Sequence, residues 1–460
     1  MRLALLALLL TGAAAPAVAA PARMEAPADL GVADPAPVRL SGLRPNEEVE
    51  LVSTRRSRTD FSFDPTPRTF VARARFRADV RGRLDLATAA PVSGDYAGAD
   101  KAGLFWSAKA ARAPETADPA AGRVRVEAHR ADGAVLTAEA RTEPDLAEIV
   151  VEPVAGFPGA VFAHPRGAGR RPSLIVLGGS EGGSGTAKAF APRFAARGYA
   201  VLGLPYYDPG WNPADRLPDL PHAFVEIPVD RLAAVRDWLA GRPEVDASRI
   251  GVWGASKGAE FALLAATRYP WIKAVAAIVP TDVVWEGWGR PGPAGASFAW
   301  RGEGLAFQRY DGMEAELAKA ARREPMNLRR VHDAGRRSHA EDHDAARIPV
   351  ERYAGPLVLA GGGDDRVWPS ADMAQAVAET RRKSGRPTVL VVEPHAGHGL
   401  GGTGYDPAAP LSAVGGEPAA NARARRLAWK ATLETFAAAL HPERVGAAPG
   451  ARLAAAARPF

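Results

Sequence analysis

The chain of 460 residues contains no cysteine. That absence excludes structural disulfides, thiolate metal sites, a cysteine nucleophile and a lipid-modified N-terminal cysteine. Hydroxyl, imidazole, carboxylate and amine groups are left to carry any chemistry. Beyond the first twenty residues no apolar stretch is long enough to cross a bilayer, which takes about 18 uninterrupted residues. The formal charge of +6 is spread without a long basic run, so nucleic acid is not an expected partner. The 47 glycines and 40 prolines follow no collagen-like period and predict turns and loops instead. No internal repeat is evident. With 47% hydrophobic and 24% charged residues, the composition fits a globular protein with a substantial core and argues against wholesale disorder or a coiled coil.

Residues 1–20 place Arg2 before an apolar stretch and then small residues, with Ala17-Val18-Ala19 matching a small-x-small cleavage pattern. This is the pattern of a secretory signal peptide, so an exported, periplasmic or secreted location is expected. Residues 28–155 show short period-two runs between turn residues, around residues 38–40, 49–52, 70–76, 123–127 and 148–151. Arg73, Arg75 and Arg77 alternate with apolar or small residues, as on a strand with one wet face. An all-β domain, a β-sandwich of immunoglobulin-like type, is predicted there. After the Gly/Arg/Pro-rich residues 164–172 the rhythm changes. Near-continuous apolar strands alternate with helices over residues 165–443, which predicts a parallel sheet covered on both faces. Its last helix is expected over residues 422–440 with Asn421 as N-cap. An alanine-rich tail follows over residues 444–460.

Gly254-Ala255-Ser256-Lys257-Gly258 matches G-x-S-x-G between a predicted strand and a predicted helix. In that setting a sharp, strained turn lifts a serine hydroxyl above an α/β-hydrolase sheet. A serine needs a base and an orienting acid, expected further along in the order Ser, Asp, His. The strand at 357–360 runs into Gly361-Gly362-Gly363-Asp364-Asp365-Arg366, and the strand at 388–392 runs into Glu393-Pro394-His395-Ala396-Gly397-His398-Gly399. Asp364 is preferred to Asp365 because it follows the glycine turn directly, while Asp365 is placed to pair with Arg366. His398 is preferred to His395 because its flanking glycines give the loop freedom to swing over the serine. The backbone N–H of Lys257, with that of Gly179 or Ser180 from the loop Gly178-Gly179-Ser180-Glu181-Gly182-Gly183, would form the oxyanion hole.

Other candidates carry less. The glycine-rich loop lacks a P-loop ending and G-x-G-x-x-G spacing, so no nucleotide cofactor is expected. His339 and His343, beside Glu341 and Asp342, have helical spacing but no H-E-x-x-H and no clear third ligand. They read as a solvated polar helix, and no metal is expected. Trp253 reads as core, whereas Trp211, Trp285, Trp288 and Trp300 could wall an acyl pocket or simply pack.

Several motifs resemble those of the acyl-CoA thioesterase / bile acid-CoA:amino acid N-acyltransferase family, over roughly residues 28–440. Asp34-Pro35 and Val38-Arg39-Leu40-Ser41-Gly42-Leu43-Arg44-Pro45 resemble the family's opening strand and G-L-x-P turn. Gly94-Asp95-Tyr96 and Gly103-Leu104-Phe105-Trp106-Ser107 resemble its G-x-Y and M-G-L-x-W-S signatures, with Ala102 in place of methionine. Tyr206-Tyr207, Pro243-Glu244-Val245, the serine motif, Gly363-Asp364 and Gly397-His398 fall in the family's order. The resemblance implies an acyl-CoA hydrolase with Ser256 as nucleophile, Asp364 as orienting acid and His398 as base. The family's conjugating members carry cysteine at the nucleophile, so Ser256 favours transfer to water. The expected ligand is therefore a small acyl thioester or ester. A carboxylic-ester hydrolase or peptidase with the same triad is the alternative enzyme reading, together with an acyl-CoA:amino acid N-acyltransferase. A binding protein with a silent hydrolase domain is the non-enzyme reading.

Overall fold

Eight apolar runs from residue 149 onward pair into one sheet. They are β1 (Ile149–Pro153), β2 (Val161–Pro165), β3 (Arg171–Leu177), β4 (Ala200–Gly203), β5 (Val245–Ala255), β6 (Ile272–Ile278), β7 (Leu357–Gly362) and β8 (Thr388–Glu393). This computed structural model describes residues 21–57, 68–111, 122–322, 324, 326–408 and 413–441. The signal-like residues 1–20 and the alanine-rich residues 444–460 lie outside the described residues. The strand order is β1-β2-β4-β3-β5-β6-β7-β8, with β2 antiparallel to both neighbours and the strands from β4 to β8 parallel.

Six helices position the sheet and its loops: α1 (Gly185–Ala195), α2 (Arg231–Ala240), α3 (Lys257–Ala266), α4 (Leu328–Ser338), α5 (Ser370–Lys383) and α6 (Pro418–Leu440). Side chains alternate along a strand, so each central strand feeds two cores. Leu174, Val176, Ala274, Ala276, Val358 and Ala360 meet Ala191 and Phe194 of α1 and Ala428 and Phe436 of α6. Ile175, Leu177, Val275, Ala277, Leu357 and Leu359 meet Leu232 and Val235 of α2, Ala262 of α3 and Val377 of α5. Burial on both faces is why these strands read as unbroken apolar runs. The strand order and the two helical layers are those of an α/β hydrolase.

The N-terminal strands form two antiparallel sheets around a separate core. The larger centres on strands Glu48–Ser57, Arg68–Arg77, Arg123–Arg130 and Val135–Arg141, and the smaller joins Arg23–Glu25, Arg39–Ser41 and Leu84–Asp85. Phe70, Ala72, Ala74 and Phe76 point into this core, and the intervening arginines point outward, as the alternation predicts.

Two expectations are corrected. The period-two run at residues 148–151 predicts a further strand of the N-terminal domain, but Ile149–Pro153 is the edge strand of the hydrolase sheet. Ile149 is buried in the hydrolase core, and a period-two pattern does not disclose which sheet a strand will join. The last helix begins at Pro418, where a missing N–H is harmless in the first turn, with Glu417 at the cap. Asn421 therefore lies inside α6, and its side chain accepts a hydrogen bond from Gly397 N (2.7 Å).

The two parts are joined by buried polar contacts. Arg55 of the N-terminal sheet donates to Asp406 Oδ1 (3.0 Å) and to the Tyr405 carbonyl (3.1 Å), while Arg193 of α1 lies 3.5 Å from Asp406 Oδ2. Burial opposes the Asp406 charge, but Arg193, Arg55 and Arg425 outweigh it and hold the carboxyl at about 2 against an ordinary 3.8. A carboxyl depressed in the folded state adds stability that is present above its unfolded value and disappears as pH falls through its folded one. Between pH 4 and 2 the wild type should lose stability more steeply than Asp406→Asn. Urea unfolding midpoints measured across that range check this, and parallel slopes would refute it.

Candidate active site

Ser256 sits between β5 and α3 with φ +57° and ψ −124°, outside the regions most non-glycine residues occupy. Its N–H donates to the Ile278 carbonyl (2.9 Å), and its own carbonyl accepts from Ala259 N (2.9 Å) as α3 begins. The flanking glycines are required by contact. A Cβ on Gly254 would lie 2.1 Å from the Gly258 carbonyl oxygen, and one on Gly258 would lie 2.2 Å from the carbonyl oxygen of Gly178. The helix therefore starts hard against the end of β3.

His398 Nε2 is 2.8 Å from Ser256 Oγ, and His398 Nδ1 is 2.8 Å from Asp365 Oδ2. Asp365, not Asp364, stands behind the histidine. Its side chain is fully buried, and its other oxygen accepts from Val367 N (2.8 Å) and Trp368 N (3.2 Å). Asp364 turns the opposite way. It accepts from Gly416 N (2.9 Å), lies 3.7 Å from Arg366 and is about half exposed. Neighbouring residues in an extended turn point to opposite sides, and here the second aspartate faces inward. The partner expected for Asp365, Arg366, belongs to Asp364. His395 is exposed, and its ring takes no part in this chain.

Residues 413–417 hold both turns: His398 N donates to the Val414 carbonyl (2.8 Å), while Asp365 and Ala396 bridge to Gly415 and Gly416. Trp368 lies edge-on to His398 (5.2 Å between centroids) and donates from its indole to the Val279 carbonyl (3.2 Å). Behind it His332 is enclosed by Trp285, Tyr310 and Trp368, and burial holds its imidazole down to about 3, hence neutral. Neither Trp368 nor His332 was marked by any sequence motif.

The candidate oxyanion loop also lies at the serine. A Cβ on Gly179 would come within 3.0 Å of Ser256 Cβ, and Lys257 N opens α3 directly after the serine. Gly179 N donates to Glu181 Oε1 (2.9 Å), which also accepts from Thr186 Oγ1 (2.6 Å). Ser180 is half-buried in the same loop. Tyr206, from the Tyr206-Tyr207 pair, braces this loop by donating to the Gly178 carbonyl (2.7 Å).

The Lys257 side chain turns away from solvent. Its Nζ lies 2.5 Å from Glu260 Oε2 and 2.9 Å from Ser297 Oγ, among the faces of Phe224, Trp288 and Phe298. Burial lowers the Lys257 pKa and raises that of Glu260, and their mutual attraction opposes both shifts. Trp288 is thus part of this box, Trp285 is core beside His332, Trp253 stacks on Phe190, Trp300 packs on Tyr269, and Trp211 is exposed. His339, Glu341 and Asp342 do converge, but Arg309 already binds both carboxylates, and His343 stands outside the group.

A serine on a strand-to-helix elbow, hydrogen-bonded to a histidine that is backed by a buried carboxylate, on this sheet, defines the class of α/β hydrolases. Residues 33–152 match the profile of the acyl-CoA thioester hydrolase/BAAT N-terminal region, and residues 233–442 match that of the BAAT/acyl-CoA thioester hydrolase C-terminal region. The chain belongs to the acyl-CoA thioester hydrolase/BAAT family. It is similar to acyl-coenzyme A thioesterase 1 of Rattus norvegicus, 27% identical over 88% of this chain and 92% of the relative. Homo sapiens acyl-coenzyme A thioesterase 1 is 28% identical over the same shares. Among solved structures, a puromycin-hydrolysing peptidase of Mycobacterium tuberculosis aligns at 14% identity and TM-score 0.40, covering 81% of this chain and 52% of that one. An acylaminoacyl peptidase of Pyrococcus horikoshii aligns at 13% identity and TM-score 0.40, covering 70% and 48%.

Removing one member of a buried ion pair strands the other charge, at a cost of about 3–5 kcal/mol. Lys257→Met should therefore destabilise the protein by about that much, leaving Glu260 with the Ser297 hydroxyl and the Trp285 N–H as its donors among the described residues. Adding Glu260→Gln should restore most of the loss. Denaturant titrations of the single and double variants test this, and a neutral single variant would refute it.

Proposed function

We propose that the chain is an exported serine hydrolase that cleaves acyl thioesters through an acyl-enzyme on Ser256. The enzyme class, thioester hydrolase, comes with the family. The observation that carries the serine mechanism is the hydrogen-bond chain from Ser256 through His398 to buried Asp365 on a strained elbow. Export rests on the signal-like pattern of residues 1–20. The two antiparallel N-terminal sheets around one core support an immunoglobulin-like sandwich.

In this reading Ser256 Oγ attacks the acyl carbon as its proton passes to His398 Nε2. Asp365 accepts the Nδ1 proton in a hydrogen bond, fixing the tautomer and stabilising the imidazolium. The N–H groups of Val367 and Trp368, which donate to Asp365 Oδ1, hold the carboxylate still while this happens. Collapse of the tetrahedral intermediate breaks the carbon–sulfur bond, and the leaving thiol takes the proton from His398. Water, deprotonated by the same imidazole, then attacks the acyl-enzyme and returns Ser256 with a free carboxylic acid. Lys257 N and Gly179 N are the donors for the oxyanion. Gly179 serves only once the Glu181 carboxylate moves aside, so substrate entry displaces that carboxylate.

Ser256→Ala should reduce turnover by more than about a thousandfold while the protein stays folded. Asp365→Asn should cost on the order of 10⁴, as an amide at this position does in the serine-protease case, and Asp364→Asn far less. Thiol release from acyl-CoAs of graded chain length is the assay, and the absence of cysteine removes any protein background. Oxygen esters and aminoacyl amides run in parallel. Preference for those substrates would move the enzyme to the esterases or peptidases, and amide formation with added glycine would make it a transferase. Sequencing the N-terminus of protein recovered from cell fractions tests export.

A further inference from the structure

The loop that leaves His398 does not end in the hydrolase domain. Residues 399–406 are rich in glycine (Gly399, Gly401, Gly402 and Gly404) and so have little stiffness of their own. At their far end Tyr405 is buried in the core of the N-terminal sheets, edge-on to Phe105 at 5.8 Å. Three residues after Tyr405, Ala408 N donates to the Trp106 carbonyl (2.8 Å). Phe105 and Trp106 belong to the short, wholly buried helical turn Gly103–Trp106.

The polar contacts reinforce this attachment. Arg55, in the strand Glu48–Ser57, reaches the Tyr405 carbonyl and Asp406 with its side chain only 3% exposed. Arg425 of α6 lies close enough to help lower Asp406, and its Nε donates to the Gly399 carbonyl at 2.6 Å, one residue from His398. A single cluster thus links the C-terminal part of an N-terminal strand to both ends of the histidine loop.

We propose that the N-terminal domain is a working part of the active site: through Arg55, Tyr405 and Asp406 it sets the position of the loop that carries His398. Arg55 and Tyr405 are then positioning residues for the serine reaction, on which this inference rests. Displacing reacting groups by about 1 Å can lower a rate by about a hundredfold without touching substrate binding.

The test uses the full-length chain. Arg55→Met removes the contacts to the Tyr405 carbonyl and Asp406, whereas Tyr405→Leu leaves those in place and removes the ring packed on Phe105, which keeps the proposal testable should Arg55→Met fail to fold. Arg39→Met, which breaks an exposed ion pair with Asp85 in the same domain, is the control and should match the wild type. In the attachment variants kcat for an acyl thioester should fall about ten- to a hundredfold at temperatures where the protein is folded, with KM within twofold. Amide exchange in residues 395–408 should rise in the same variants. A purely structural link would lower the melting temperature and leave kcat and loop exchange unchanged, which would overturn the proposal. Ser256→Ala, run alongside, separates the two claims. If it is fully active the serine mechanism fails, whereas wild-type kcat and exchange in the attachment variants defeat the positioning role alone.

Discussion

A positive φ at Ser256 costs of order 1–3 kcal/mol and survives only where its surroundings leave no alternative. Those surroundings are the Gly254–Gly258 contact and the pressing of Gly258 onto the carbonyls of Leu177 and Gly178. The same contact that forces the hydroxyl upward brings the end of β3 to the base of α3. The loop with Gly179 is thereby laid beside the serine without further design. The candidate nucleophile and the candidate oxyanion donors are thus two consequences of one close approach. The remaining groups arrive because β7 and β8 run parallel to β5 and release their loops at the same sheet edge.

Much of this was legible in the residues because backbone constraints leave local marks. G-x-S-x-G between a strand and a helix identified Ser256, and a histidine after the last strand identified His398. The choice between Asp364 and Asp365 was not legible from proximity to the glycine turn, since it depends on which aspartate faces inward. A usable signal was available in Val367-Trp368-Pro369-Ser370. Two free N–H groups following an aspartate, just ahead of a helix start, are a ready acceptor site for its carboxylate. Asn421 misled for the same reason: a residue type suited to capping was instead recruited by a loop distant in sequence. Glu181, Trp368 and the Lys257–Glu260 pair left no mark, because their roles exist only once separate elements meet.

The charges near the serine are arranged so that few act on it directly. Lys257 is adjacent in sequence, but its ammonium is directed into an aromatic box and matched by Glu260. His332, only one ring removed from His398, is kept neutral by burial. Asp365 is the carboxylate bonded to the histidine, and its other oxygen accepts from two backbone N–H groups. In the proposed reaction an imidazolium formed at His398 meets one fixed and buried negative partner, where such a partner is most effective.

The glycines around His398 also change meaning once the fold is known. Read as sequence, Gly397 and Gly399 suggest freedom for the ring to swing over the serine. In the structure a Cβ on Gly397 would lie 2.1 Å from the Gly415 carbonyl oxygen, and Gly397 N is held by Asn421. Gly397 is there to let two backbones touch, and it fixes the loop on its entry side. On the exit side Leu400 is buried in the hydrolase core and Arg425 holds the Gly399 carbonyl, and beyond them Gly401 and Gly402 offer little stiffness of their own, so the rest comes from what the chain reaches next. What it reaches is Tyr405 in the N-terminal core. A histidine loop held by its own domain through Asn421 and Arg425, and further along the chain by Tyr405 in the neighbouring core, gives a physical reason for the two domains to occur together in one chain.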